Sequence, residues 1–481
     1  MDARHDGHRL GYVHAVQSVL VGLALAACHS QPVDPIEELE DPATCMQCHP
    51  QHYNQWSGSM HAYASDDPVF VAMNKRGQRE AQLGTFCVQC HAPMAVALGL
   101  TDGTDFDPTT LPPQARGITC YYCHNIASIE ADHNNGIVLA LDQTMRGGAQ
   151  SPAKSPAHDS VYDKAMDSSL LRSSAMCGSC HDVITPAPNN VALERTYDEW
   201  QGSLFAMPDP EHPDTQDSCG GCHMQSSDDV IADGPGLDVG TRHLGYHEHV
   251  WPGIDQAMTP QFPNPDVLLA GMQRDLFQAV TIVAPTPVVG APTGGVCLVP
   301  PGILTVRMVA GGPGHMFPSG AAQDRRAWLE VIAYDAAGGV MLDTSVPVGA
   351  DPTEDPNLQN GAQGGADRFW DRTMKTDGTP AHFFWDVASE TTDQLLRATL
   401  PMKADHSTTA QFNIPNYALV DHITTRMLVL PIDYATMNDL VSSGDLDPSI
   451  VALDQPLDLL MTTHVTWDKT TATAETGFCN P

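Results

Sequence analysis

Five Cys-x-x-Cys-His motifs crowded between residues 44 and 255, and a succession of short alternating apolar segments from about residue 275 to 481, predict a two-part fold. The first part is expected to be short helices and loops, the second an antiparallel β-sandwich. The motif starts lie 33 to 57 residues apart, too little chain per motif for an ordinary side-chain core. That part should be packed around whatever the motifs bind.

The motifs are Cys45, Cys48 and His49; Cys87, Cys90 and His91; Cys120, Cys123 and His124; Cys177, Cys180 and His181; Cys219, Cys222 and His223. Each reads as a covalent attachment site for c-type haem. Two thiols add to the vinyl groups, and the histidine next in sequence ligates the iron from the proximal side. Five covalently bound haems are therefore expected, in a pentahaem cytochrome c domain over residues 44–255. A zinc site would use the cysteine pairs but has no need of a histidine directly after each. Disulfides between cysteines so close in sequence are uncomfortable and also leave the histidines unexplained.

The N-terminus carries Arg4 and Arg9, then an apolar run ending Leu25-Ala26-Ala27-Cys28. It fits a signal peptide over residues 1–27, and the small-residue ending resembles a lipobox, which makes Cys28 a lipid anchor. Residues 28–43, acidic and proline-bearing, read as a solvated spacer. Both haem attachment and lipidation place the chain outside the cytoplasm, as an outer-membrane lipoprotein facing the periplasm or the cell surface. The formal charge of −35 excludes nucleic acid as a partner and suits encounters with basic redox proteins such as other cytochromes. Oligomerisation, or stacking of copies into a longer haem wire, is left open.

Histidines outside the motifs supply the candidate distal ligands: His61, on the helix after the first motif; His133 and His158, in the long gap between motifs three and four; His247 or His249, just after motif five; and His315, in a tight Gly-His-Met-Phe-Pro turn. His52 and His212 are poor candidates. An internal repeat aligns Tyr53-Asn-Gln-Trp56-Ser-Gly58-Ser59-Met60-His61-Ala62 with Tyr197-Asp-Glu-Trp200-Gln-Gly202-Ser203-Leu204-Phe205-Ala206, so the haem part reads as a partial duplication with Phe205 in the place of His61.

In residues 275–481, strands are expected at Phe277 to Val283, Ile303 to Ala310, Ala327 to Asp335, Val340 to Thr344, Gln411 to Ile414, Thr424 to Leu430 and Met461 to Trp467. Cys297 and Cys479, near the two ends of this part, are expected to form a disulfide in an oxidising compartment.

A family resemblance rests on three stretches. The first motif followed by Tyr53, Trp56, Ser59, His61 and Ala62 resembles the opening of the cytochrome c-554 family. Cys177-Gly-Ser-Cys180-His181-Asp182, Glu199-Trp200 with Ser203, and Cys219-x-x-Cys222-His223-Met224 are similar to bacterial multihaem cytochromes with the same core. Gly314 to Gly320 followed by Arg325, Arg326, Trp328, Leu329 and Glu330 resembles the start of a β-domain appended to many of them. The resemblance implies electron transfer between periplasmic or outer-membrane redox partners, although relatives include reductases. One alternative is reduction of a small nitrogen or sulfur oxyanion at a five-coordinate haem. Phe205 would leave that iron uncapped, and Arg172, Arg195 or Arg242 would receive the anion. Absence of a Cys-x-x-Cys-Lys motif weighs against an enzyme. A further alternative makes the β-domain a docking module for another cytochrome or a surface polymer.

Overall fold

The computed structural model describes residues 35–149, 151–152, 157–167, 171–206, 217–234, 239–259, 262–282, 295–347, 349–350, 352, 367–392, 407–474 and 478–480. The expected signal peptide over residues 1–27, the expected anchor Cys28, and His212 lie outside them.

Short helices dominate the haem part because capping signals and prolines recur every few residues. Asp41, Ser59, Asp67, Thr119 and Ser218 each accept a backbone N–H at a helix start, satisfying donors that a short helix cannot satisfy itself. Pro42, Pro50 and Pro68 occupy first turns. Of the described helices ahead of residue 260, Pro68–Ala81 is the longest at 14 residues; the other described ones are too short to persist alone in water. The expected solvated spacer is corrected over its described part: Pro35–Glu40 is helical, and Ile36 and Leu39, one turn apart, pack against Met94, Tyr121 and Tyr122.

The β-part is a sandwich. One sheet pairs Val296–Val299, Ile303–Val309 and Ser407–Asn413 in that order. The other is built on the long antiparallel pair Arg326–Asp335 and Val420–Leu430, with Val340–Asp343 on one side and Val465–Asp468 among the strands on the other. Alternate residues Leu304, Val306 and Met308 of the first sheet meet Leu329, Val331, Ile423, Met427 and Val429 of the second in one apolar core. Cys297 and Cys479 form a disulfide.

Two expected strands are corrected. Residues Pro265–Ala279 are a helix, because Leu268, Met272 and Leu276 recur every fourth residue and are all buried, a helical period that overrides the apolar run at its end. Only Thr281–Ile282 joins the sheet, against Val309 and Met308. The segment from Met461 begins as a 3-10 turn, Leu460–Thr462, and becomes strand only at Val465.

The two parts share packed surface. Val69 and Ala72 of the helix Pro68–Ala81 are buried with Met258, Phe383, Met437 and Leu440. Arg76 lies over the Phe383 ring at 4.1 Å, and Arg79 makes a two-pronged pair with Asp445 at 2.9 and 2.6 Å. Deeper, Arg325 pairs in the same way with Asp255 at 2.6 and 2.9 Å, and Arg195 pairs with Asp371 at 2.7 Å and with Glu390.

Around Arg325 the carboxyls are crowded. Burial, assisted by Asp255 and Asp433, pushes Asp454 up to about 8, and burial with Asp433 does the same to Asp324. A raised carboxyl pKa means that the folded chain holds more protons than the unfolded chain between the ordinary carboxylate range and about pH 8. The stability these groups contribute is complete at low pH and falls as pH rises through that window. Asp454→Asn is therefore expected to flatten the fall in unfolding free energy between pH 5 and 9, measured by denaturant titration at several pH values; an unchanged slope would show that Asp454 ionises freely.

Candidate functional site

Each motif histidine closes a helical turn opened by its own cysteines: the His49 amide donates to Cys45 O, and the His91 amide to Cys87 O. The ring is then held from behind. Nδ1 lies 2.6 Å from Ile231 O in His49, 3.1 Å from Ala64 O in His91, 2.8 Å from Arg146 O in His124 and 2.9 Å from Pro252 O in His223. An imidazole that donates Nδ1–H to a carbonyl presents Nε2 as a lone-pair donor, the arrangement that orients metal ligands.

Four of the five motif rings face a second histidine ring. Centroids are 6.5 Å apart for His49 and His158, 6.2 Å for His124 and His249, 6.2 Å for His61 and His181, and 6.3 Å for His223 and His315. A metal–imidazole bond is about 2 Å and an imidazole centre lies about 1 Å behind its nitrogen, so two imidazoles on one metal put their centroids about 6 Å apart. These pairs have that spacing. Two of the opposing rings are also held from behind, with Nδ1 of His249 2.8 Å from His247 O and Nδ1 of His315 2.8 Å from Met316 O. His158 buries an Nδ1 that has no hydrogen-bond partner. Burial pushes His61 down to about 3 and His223 to about 4, with neighbouring imidazoles acting in the same direction. His49, His91, His124, His181 and His249 are lowered by burial as well. All are held in the neutral form that ligates iron. The residues present thus fit haem c: paired thiols, neutral rings and the right gap.

The fifth ring differs. His91 lies under Phe70, coplanar at 4.0 Å, and among the described residues no second histidine ring is paired with it.

Cysteine contacts arrange the motifs in space. Cys45 hydrogen-bonds Cys120, Cys177 bonds Cys219, and Cys90 bonds Cys180, while Cys123 acts electrostatically on both Cys177 and Cys180. Motif one therefore adjoins three, four adjoins five, and two adjoins four.

Of the residues singled out in the sequence, His61, His158, His249 and His315 are brought opposite motif histidines, and His61 faces the fourth motif rather than the first. His133 stands exposed beside Asp132, and His247 turns Nδ1 toward Met224 O at 3.1 Å; neither belongs to a facing pair. His52 is wedged between rings, 4.6 Å from His249 and 5.8 Å from His49. Phe205 uncaps no motif ring: it packs with Tyr197, Trp200 and Ala206. This cluster supports Gly314, where a Cβ would lie 3.1 Å from the Trp200 ring, and so carries the loop that brings His315 to His223. Arg195 is taken up by carboxylates of the β-part, and the side chains of Arg172 and Arg242 lie outside those described. Sequence reasoning passed over Gln55 and Glu199, adjacent to the repeat's tryptophans; the repeat itself was the signal that marked them.

Residues 44–125 match the family model described as cytochrome c554 and c-prime. No curated protein matches the sequence. Among solved structures, the chain is similar to a penta-heme cytochrome c552 from Thermochromatium tepidum, with 18% identity and a TM-score of 0.58 over 90% of this chain and 99% of that one. The family match spans the first three Cys-x-x-Cys-His motifs, and the fold of the whole chain is that of a multihaem cytochrome c.

Proposed function

We propose that this chain is a pentahaem electron-transfer lipoprotein that relays electrons between redox proteins of the periplasm or outer membrane. The observation that carries the reading is the set of four facing imidazole pairs, because two protein ligands on an iron leave no position for a substrate and suit electron transfer. Haem c, bound at the five motifs, supplies reversible one-electron chemistry. The thiols of each motif fasten it, and His49 with His158, His124 with His249, His181 with His61, and His223 with His315 hold its two faces. The closeness of Cys45 to Cys120, and of Cys177 to Cys219, sets attachment sites one and three, and four and five, side by side. Cys28, ahead of the described residues, tethers the chain to a membrane.

Mass spectrometry of the mature protein should give the polypeptide plus five haems. His61→Ala should keep all five, since attachment depends on the cysteines, yet convert the motif-four iron to high spin and raise its potential. A fully low-spin His61→Ala protein would remove His61 from the ligand set. Cys28→Ser should release the protein from membranes into the soluble fraction; unchanged sedimentation with membranes would sink the anchor.

A second reading, reduction of a small nitrogen or sulfur oxyanion, is favoured by His91 alone, whose ring is paired with no second histidine among the described residues. On this reading the motif-two iron is high spin and binds cyanide while the other four do not. A cyanide titration that perturbs no haem excludes it.

A further inference from the structure

The two repeat helices each carry a pair of adjacent side chains that reach two distant segments of the chain. On Pro50–Ser57, Trp56 Nε1 donates to Ile118 O at 2.7 Å, two residues ahead of Cys120. Its neighbour Gln55 accepts, on Oε1, the backbone N–H of His249 at 3.0 Å and the hydroxyl of Tyr246 at 2.8 Å. His249 is the ring that faces His124. One short helix thus holds the lead-in to motif three and the backbone of the imidazole opposite that motif.

The second helix, Thr196–Gln201, repeats this at equivalent positions. Trp200 Nε1 donates to Asp217 O at 3.0 Å, again two residues ahead of a motif cysteine, Cys219. Its neighbour Glu199 accepts, on Oε2, the backbone N–H of Met316 at 3.1 Å and the hydroxyl of Ser319 at 2.6 Å. Met316 follows His315, the ring that faces His223. The agreement extends to the surroundings. Thr119 and Ser218 cap the two motif helices, the amides of Ser59 and Ser203 each donate to the tryptophan carbonyl at 2.9 Å, and the motif preceding each helix touches the motif that its tryptophan reaches, Cys45 to Cys120 and Cys177 to Cys219.

We infer that Gln55 and Glu199 are equivalent positioning residues in a duplicated clamp. In each copy the tryptophan places the proximal motif, the residue before it places the distal imidazole, and together they set the axial geometry of the motif-three and motif-five irons. The inference rests on the ligand assignment proposed above. What the two residues share is a carboxamide or carboxylate oxygen one residue from an indole N–H; their charges differ, so the acceptor rather than the charge is the working feature. A clamp is needed because each proximal motif and its distal ring are far apart in the chain, and a short rigid strut fixes their separation where two independent loops would not.

The test uses the holoprotein and four variants: Gln55→Ala, Glu199→Ala, and the acceptor-retaining swaps Gln55→Glu and Glu199→Gln. Haem number is read by mass, axial ligation by electron paramagnetic resonance, and potentials by spectroelectrochemical titration. Each alanine variant is expected to keep five haems but lose about a quarter of the bis-imidazole low-spin intensity, or shift it to new g-values, with the potential of a single haem moved; both swaps are expected to match the parent spectrum. Alanine variants that differ from the parent only in stability, or swaps that disturb ligation as much as alanine does, overturn the clamp. If the alanine chains do not accumulate, Gln55→Asn, whose acceptor is drawn back by one bond, is read by the same criterion. A parent protein lacking bis-imidazole signals at motifs three and five defeats the ligand assignment itself, and this is seen before any variant is compared.

Discussion

Two imidazoles must stand about 6 Å apart to share a metal, and the first half of this chain, with His315 from the β-part, holds four pairs of histidine rings at that spacing. Little else would shape it. Its helices are too short to be stable alone, its apolar clusters are small and separate, and its motif helices depend on caps and on carbonyls that receive the histidine rings. Those carbonyls come from sequence-distant loops, Ile231 for His49 and Pro252 for His223, so each ring is fixed only when the chain has closed around it.

The same constraint joins the sandwich to the haem part. His315 belongs to a loop of the β-part, yet faces His223. Two-pronged arginine–carboxylate pairs between the two parts fix orientation as well as distance. Arg325 with Asp255 is such a pair on this side of the boundary, and Arg195 adds a single-oxygen contact to Asp371. The crowded acids around Arg325 are the cost: they are buried at the price of raised pKa values in Asp324, Asp454 and Glu194.

The two repeat segments share one arrangement of contacts, and motif two breaks the symmetry between them. Motifs one and three are related to each other as four is to five, through equivalent tryptophans and equivalent first cysteines. Motif two falls inside the first copy, between Trp56 and Cys120, with no counterpart between Trp200 and Cys219. It is also the motif whose histidine faces no second histidine ring among the described residues. The distal position divides in the same way: His61 crosses to the fourth motif, whereas Phe205 stays within its copy and supports Gly314.

Attachment chemistry was legible in the sequence because it is local: two thiols and a ring within five residues suffice, wherever the chain goes next. The sandwich was legible for a similar reason, since an alternating run such as Leu304, Val306 and Met308 declares its buried face directly. A run ending a helix misleads in the same vocabulary, as Phe277 did, because a few apolar residues fit either period. Ligand pairing was a different matter. His133 and His158 share one loop region and His247 and His249 are two residues apart, yet only His158 and His249 are carried opposite a motif ring. That choice depends on distances between segments a hundred or more residues apart in sequence, which no local pattern encodes and only the closed tertiary structure decides.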